Sequence, residues 1–225
     1  MVTAFPNPQP ATGTDATRAR LLEAAGFVFA EQGFRAATVR EICNRAGANI
    51  AAVNYHFRDK MGLYVEVVRA SIGVESLGAL KLDAMPAPQA LRLFIANMVQ
   101  RIVGADSPAV HLRIMSHEIA QPTEALPRIA EEAINPSYTL LRGVVARLLG
   151  VNPEDDAARL CAHCIIGQVV HFSAGKPVMG LLWPAMKRTP AQVEQIAKHI
   201  ADFSLAGIRA THKSIAANSS GKRKT

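Results

Sequence analysis

The sequence predicts an all-α protein in which a small N-terminal head of three helices is linked by a long helix to a larger C-terminal helical bundle. The chain has 225 residues, of which 49% are hydrophobic, so it can fill a core of its own. Strand signals are scarce, because only 5% of the residues are aromatic and no Asn-Gly or Asp-Gly hairpin turn occurs. Apolar residues instead recur at helical spacing between residues that cap helices.

The first helix is predicted in TRARLLEAAGFVFAEQ, residues 17–32. Its apolar positions Leu21, Ala25, Val28 and Phe29 recur at intervals of three and four, which is typical of one buried helix face. Gly33 follows directly and can take the left-handed conformation that ends a helix.

A short second helix is predicted in TVREICNRAG, residues 38–47. Thr38 and Glu41 have the spacing of a capping box, in which each side chain accepts a hydrogen bond from the backbone N–H of the other residue. Gly47 is expected to end this helix and to form the turn that follows it.

A third and a fourth helix complete the N-terminal part. Asn49 can cap the third helix, and Asp59 can cap a long fourth helix that we expect over residues 59–80. The fourth helix has an apolar stripe of Leu63, Val67 and Val74.

Five longer helices are predicted beyond the Pro-rich residues 85–88. They cover about 87–104, 107–120, 123–149, 153–174 and 190–211, and an apolar loop, GKPVMGLLWPAMKRTP, joins the last two. We therefore expect a disordered leader over residues 1–14, a head over 15–62, a body over 63–212 and a basic disordered tail over 213–225.

The positive charge of the chain is concentrated in the tail. The net charge is +7, but residues 1–80 hold 8 basic and 7 acidic side chains and residues 81–208 hold 12 and 11, whereas residues 209–225 hold 5 and none. The high net charge is thus weak evidence for nucleic-acid binding by the folded part. Evidence for nucleic-acid binding by the folded part must come from local motifs.

The expected compartment is a bacterial cytoplasm. The first residues lack the charged and apolar regions of a secretory signal, and the longest uncharged stretch, residues 160–175, is too short to cross a bilayer. Three cysteines without framework spacing suit a reducing environment. We expect no membrane contact.

The stretch NIAAVNYHFRDK, residues 49–60, has the mixed character of a helix that enters the DNA major groove. Ala51 and Ala52 are small enough for close approach to base edges, and Asn54, Tyr55 and His56 can donate hydrogen bonds to bases or phosphates. The alternative is an ordinary helical hairpin in which Ile50, Val53 and Phe57 form the buried face. Both interpretations bury Val53 and Phe57.

The segments TVREICNRAGANIAAVNYHF (38–57) and RDKMGLY (58–64) closely resemble the DNA-binding head of the TetR family of bacterial transcriptional regulators. The resemblance covers about residues 16–65. It implies that Arg40 contacts a base, that Ile50, Ala51, Ala52 and Asn54 face the groove, and that Thr38, Tyr55, His56 and Lys60 contact phosphates. The family commonly has a tyrosine where this chain has Asn54, so that contact is either a shorter one, as to adenine, or absent. The predicted DNA-binding residues are Thr38, Arg40, Asn49, Ile50, Ala51, Ala52, Asn54, Tyr55, His56 and Lys60.

The body more weakly resembles the CecR-like branch of that family, through IMSHEIAQPT (114–123), INP (134–136) and IIGQVVHF (165–172). This resemblance implies a ligand-responsive domain and a homodimer. A two-fold dimer is also expected on physical grounds, because two heads one DNA turn apart gain affinity and specificity for a palindrome. The segments 153–174 and 190–211, rich in small and β-branched residues, are the predicted dimer helices.

A ligand pocket is expected between body helices, with core packing as the alternative for each residue alone. The candidates are Phe94, Met98, Met115, Glu118, Tyr138 and His171. The long fourth helix, as the only continuous element predicted to join head and body, is expected to transmit ligand binding to the head.

The sequence thus predicts a ligand-responsive transcriptional regulator, a repressor, that binds a near-palindromic operator as a homodimer. A constitutive architectural DNA-binding protein and an enzyme are the alternatives, although no nucleophile elbow, P-loop or dinucleotide fingerprint occurs. We expect no cofactor. We also expect no metal site, because His163 lies on a different helix face from Cys161 and Cys164, and His171 lies nearly three turns from Cys161.

Overall fold

The computed structural model describes residues 13–73, 77–104 and 110–221, and within these ranges all regular structure is helical. The predicted all-α fold is confirmed. No helix in the described ranges is both long and apolar enough for a membrane span. The expected leader lies outside the described residues except for Gly13 and Thr14, which begin the first helix.

The head contains three helices, and a fourth follows it directly: α1 Gly13–Ala36, α2 Val39–Ala46, α3 Ile50–Phe57 and α4 Lys60–Ile72. Three of them begin at the predicted caps, because Thr38, Asn49 and Asp59 each accept a hydrogen bond from a backbone N–H three residues on. Gly33 has a φ of 74° and interrupts α1, as predicted, although a further helical turn continues to Ala36.

Two predictions for this part were wrong in detail. The Glu41 side chain does not complete a capping box, since its carboxylate accepts a hydrogen bond of 2.6 Å from Gln32 instead. The fourth helix is not long: it ends at Gly73, which has a φ of 71° and donates its N–H to the carbonyl of Arg69. Val74, the last residue of the predicted stripe, lies outside the described residues.

The body contains six helices of seven or more residues in the described ranges: α5 Ala87–Val103, α6 Val110–Ala120, α7 Asn135–Leu149, α8 Asp156–Ala174, α9 Lys176–Leu182 and α10 Pro190–Gly221. A helical turn, Leu126–Arg128, and a π-helical segment, Ile129–Ile134, lead directly into α7, and Leu82–Ala84 forms a 3₁₀ turn before α5. Two sequence expectations are corrected here. The apolar loop before α10 contains α9, which has Pro177 in its first turn, and the predicted disordered tail is helical as far as Gly221.

The buried side chains form two clusters. The body core is built from α5, α7, α8 and α10, with Leu91, Ile95, Leu141 and Ile165 almost fully buried. The head core contains α1 to α4 and also four body residues, Ile114, Ala125, Ile129 and Ala133. Helix α6 and the π-helical segment therefore pack onto the head, and α4 is not the only element that joins head and body.

Candidate DNA-binding surface and ligand cavity

Helices α2 and α3 form a helix-turn-helix whose geometry is fixed by local bonds. Gly47 has φ 59° and ψ 41°, a left-handed conformation that a side chain would strain, and its N–H donates to the carbonyl of Asn44. Asn49 begins α3 two residues later. A second glycine sets the start of α4, because a Cβ on Gly62 would lie 2.0 Å from the carbonyl oxygen of Phe57. The end of α3 is thereby held against α4.

Helix α3 has one buried face and one surface face. Val53 and Phe57 are 0% and 3% exposed in the head core, whereas Ile50 is 48% exposed and Tyr55 is 77% exposed. The ordinary hairpin predicted Ile50 to be buried, so the exposure of Ile50 favours a groove-facing helix. Most of the predicted DNA-binding residues are exposed: Thr38, Arg40, Asn49, Ile50, Ala51, Asn54 and Tyr55, with Ala52, His56 and Lys60 half-buried.

The two capping side chains, Thr38 and Asn49, use an oxygen for the cap and keep their own polar hydrogens on this surface. The Thr38 Oγ1 accepts from the Glu41 N–H at 3.2 Å, and the Asn49 Oδ1 accepts from the Ala52 N–H at 2.9 Å. The Thr38 hydroxyl proton and the Asn49 amide NH₂ are still able to donate to an anion. The Tyr55 ring lies edge-on to the His56 ring, with 4.9 Å between centroids, and restricts its orientation.

Lys60 is less exposed than its predicted role suggests. Its Nζ lies 4.6 Å from the Phe34 ring centroid and 3.4 Å from the carbonyl oxygen of Arg35, to which it donates. Burial lowers the pKa of the Lys60 ammonium, and the negative charge of Glu124 partly offsets this effect. The ammonium therefore lies against the end of α1, and a phosphate contact requires its side chain to extend away from Phe34.

An apolar cavity of about 240 Å³ lies in the body beneath the head. Four of the six predicted pocket residues line it: Phe94, Met98, Met115 and Tyr138. The sequence prediction missed Leu112, Ser116 and Ile119, although their spacing of three and four could have revealed one face of α6. Arg101 is the one charged side chain among the described lining residues.

The two other predicted pocket residues lie elsewhere. Glu118 is 0% exposed and faces the head, where its carboxylate accepts from the Tyr64 hydroxyl at 2.9 Å, the Thr123 hydroxyl at 2.8 Å and the Thr123 N–H at 3.0 Å. His171 is exposed on α8, beside Phe172. Helical geometry explains both errors, since these residues lie on helix faces that do not turn toward the cavity.

Residues 117–125 make polar contacts between body and head. His117 Nε2 lies 3.3 Å from the carbonyl oxygen of Ala30. The Arg35 guanidinium donates to the carbonyl of Pro122 at 3.4 Å and lies 4.0 Å from the Glu124 carboxylate. Helix α6 consequently has one face on the cavity and the other on α1 and α4.

The predicted dimer helices α8 and α10 pack against each other and carry large apolar side chains at the surface. Leu160 is 65% exposed and Phe203 is 63% exposed, and both line a shallow groove between the two helices. Cys161 and Cys164 line the same groove, and burial raises the pKa of the Cys161 thiol. Within the described part of the chain, no three His, Cys, Asp or Glu side chains come together as metal ligands.

Comparison with known proteins agrees with this architecture. Residues 21–67 match the family model of the bacterial regulatory proteins of the TetR family, and residues 87–208 match that of the C-terminal domain of the HTH-type transcriptional dual regulator CecR. The chain belongs to the TetR family, with a CecR-type C-terminal domain. The resemblance seen in the sequence is confirmed, and this TetR-family protein is a DNA-binding transcriptional regulator.

Relatives of this TetR-family protein extend over almost its whole length. The dual regulator CecR of Shigella flexneri is 28% identical over 219 residues, which cover 90% of this chain and 97% of that protein. The regulator BetI of Rhizobium meliloti (strain 1021) is 24% identical, with 89% and 94% covered.

Solved structures share the fold. A transcriptional regulator of Pseudomonas aeruginosa PAO1 is 26% identical with a TM-score of 0.62, covering 90% of this chain and 95% of that one. The fatty acid degradation regulator FadR of Bacillus halodurans is 17% identical with a TM-score of 0.64, covering 84% and 98%.

Proposed function

We propose that this regulator is a cytoplasmic repressor without catalytic activity, which binds a near-palindromic operator as a homodimer and releases it when a small-molecule ligand enters the body cavity. The observation that supports a ligand response is the position of α6. Met115 and Ile119 line the cavity, while His117 and Glu118 on the same helix contact the head. A ligand that displaces one face of α6 must move the other.

In the DNA complex, α3 lies in the major groove and presents Ile50, Ala51, Ala52 and Asn54 to the bases. Arg40, exposed on α2, contacts a guanine edge, and Asn54 can pair with adenine. Thr38, Asn49, Tyr55, His56 and Lys60 hold the backbone. The hydrogens left free by the Thr38 and Asn49 caps suit phosphate oxygens.

The dimer forms through α8 and α10. Their exposed Leu160 and Phe203 would be covered by the same helices of a second copy, as in an isologous two-fold interface. Complete burial of a fully exposed large apolar side chain contributes about 1.5–3 kcal/mol. Leu160 and Phe203 are already partly buried, so each contributes part of that amount to the dimer. The two heads are then fixed relative to each other, and their separation decides whether both fit one operator.

The signal passes through residues 117–125 as well as through α4. The fully buried Glu118 bonds to Tyr64 of α4, so a shift of α6 changes the position of α4 relative to α1. Because α4 begins directly against the end of α3, that shift would reorient the groove-facing helix. A ligand can shift the equilibrium between the DNA-binding and the non-binding conformation only by the difference in its affinity for the two conformations.

Reciprocity tests this proposal. A compound from a thermal-shift screen should lower operator affinity by a certain factor, and operator DNA should lower the affinity for that compound by the same factor. Footprinting supplies the operator, and calorimetry measures both affinities. Equal compound affinity with and without operator would refute the ligand response and leave a constitutive architectural DNA-binding protein. Protection of a site without two-fold symmetry would refute the operator model.

A further inference from the structure

A second concave site in the body is lined by positive charge. It is a cleft of about 620 Å³ between the end of α5, the start of α6, the end of α8, helix α9 and the segment that follows α9. Four basic side chains line it: Arg113, Lys176, Lys187 and Arg188. The described residues that line the cleft include no aspartate or glutamate. This distribution differs from the rest of the described body, where basic and acidic side chains are mixed.

The four cations are not neutralised by the described parts of the chain. The ion pairs of the described residues involve none of the four. The Arg188 guanidinium donates to the backbone carbonyl of Phe172, which fixes its position without cancelling its charge, and burial lowers its pKa. Like charges collected around one cleft repel each other, so an anion in the cleft would be bound favourably.

The basic cleft adjoins the apolar cavity. Ile102, Leu112, Ser116 and Ala174 line both, so the two spaces share a wall among the described residues. The cavity side of this boundary is almost wholly apolar, and the cleft side is cationic. The pair of spaces has the polarity of one elongated site for a molecule with an apolar end and an anionic end.

We propose that the ligand is a phosphate-bearing amphiphile, with its apolar chain in the cavity and its phosphate in the basic cleft; this inference rests on the ligand response proposed above. A carboxylate would bring one charge, whereas a phosphate monoester carries about 1.5–2 negative charges and three acceptor oxygens. Several cations around one cleft match the phosphate better. Arg113 lies on α6, so a bound phosphate would also pull on the helix that contacts the head.

The test compares three probes by calorimetry: decyl phosphate below its micelle concentration, decanol, and inorganic pyrophosphate. Decyl phosphate should bind at least about tenfold more tightly than either of the others, since it alone fills both spaces. A double variant, Arg113→Gln with Lys176→Gln, should bind decyl phosphate about tenfold more weakly and decanol unchanged. The control is Lys81→Gln with Lys213→Gln, which removes the same charge at exposed positions outside the cleft and should leave all affinities unchanged.

Three results would overturn the inference. Pyrophosphate binding as tight as that of decyl phosphate would assign the cleft to a free phosphate. An equal loss of decyl phosphate affinity in the control variant would indicate diffuse surface charge. A cleft variant that loses operator affinity without any ligand would assign the cleft to DNA. If decyl phosphate binds as expected but its binding does not change operator affinity, the assignment of the phosphate to the cleft is supported and the proposed ligand response is refuted.

Discussion

The hydrogen bond between Tyr64 and Glu118 gives the most direct test of how body and head are connected. Substitution Tyr64→Phe removes one hydroxyl and keeps the ring, which packs against Phe29 at a centroid distance of 4.6 Å. Both partners of the bond are 0% exposed, so solvent cannot replace the lost donor. Three donors point at the Glu118 carboxylate, and the variant leaves the two from Thr123.

A hydrogen bond to a charged group contributes about 1.5–3 kcal/mol, and the full burial of this one calls for no reduction by solvent screening. For a chain of this length each kcal/mol corresponds to about 2–4 °C, so Tyr64→Phe should lower Tm by about 3–12 °C. Glu118→Gln should also destabilise the protein, because it removes the negative charge that strengthens all three of these hydrogen bonds.

The assay is thermal and denaturant unfolding, with Tyr138→Phe as the matched control. The Tyr138 hydroxyl makes no hydrogen bond to any residue that the structure describes, so that variant should change stability by less than about 0.5 kcal/mol. Tyr64→Phe should also reduce the factor by which a ligand lowers operator affinity. Equal stability of the two variants, together with unchanged coupling in Tyr64→Phe, would refute the assigned connection.

The same bond predicts a dependence on alkaline pH. Burial raises the pKa of the Tyr64 hydroxyl, and the hydrogen bond to Glu118 and its negative charge add to this. Above the ordinary tyrosine pKa of about 10, the unfolded chain loses this proton while the folded chain keeps it. The contribution of Tyr64 to stability is therefore complete below pH about 10 and declines above it. The stability difference between wild type and Tyr64→Phe should shrink as the pH rises beyond that value, and a constant difference would contradict the assignment.

Three further predictions concern DNA, assembly and ligand. Arg40→Ala should cost about 1–3 kcal/mol of operator binding and relax discrimination at one position per half-site, whereas Lys60→Ala should weaken all duplexes equally and lower the salt slope by about one per head. Operator variants titrated at several salt concentrations would contradict these roles if both mutants behaved alike. Phe203→Asp should give a folded monomer in analytical ultracentrifugation, because it places a charge in the proposed interface, and a persistent dimer would exclude that surface. Met98→Trp should fill much of the cavity, so the thermal shift produced by decanol should be lost while operator binding is kept; an undiminished shift would place decanol elsewhere.

Much of the head could be predicted from the sequence because its determinants are local. Thr38, Asn49 and Asp59 cap helices through bonds to residues three positions away, and Gly47 ends α2 through its own backbone conformation. Such interactions depend on short stretches of sequence and not on the remainder of the chain. The exposed position of Ile50 followed from the family resemblance, since helical periodicity alone could equally have buried it.

The body was predicted less completely. The predicted length of α4 was wrong, and α9 was predicted as a loop. An isolated apolar pattern does not indicate where a neighbouring element will stop a helix. Among the predicted pocket residues, Phe94, Met98, Met115 and Tyr138 line the cavity, since large or adaptable apolar side chains at helical spacing are common in such sites. That they bind a ligand stays a prediction.

The sequence by itself determined that the chain is helical, where most helices begin, and that its head has the pattern of a DNA-binding helix-turn-helix. Only the tertiary structure decided that Glu118 faces the head, although Met115 and Ile119 on the same helix face the cavity. Only the tertiary structure brought Arg113 together with Lys176 and Arg188 in one cleft. The physical reason is that helix faces are assigned by packing between segments that are distant in sequence, and a pattern of 3.6 residues per turn fixes which residues share a face but not what that face meets.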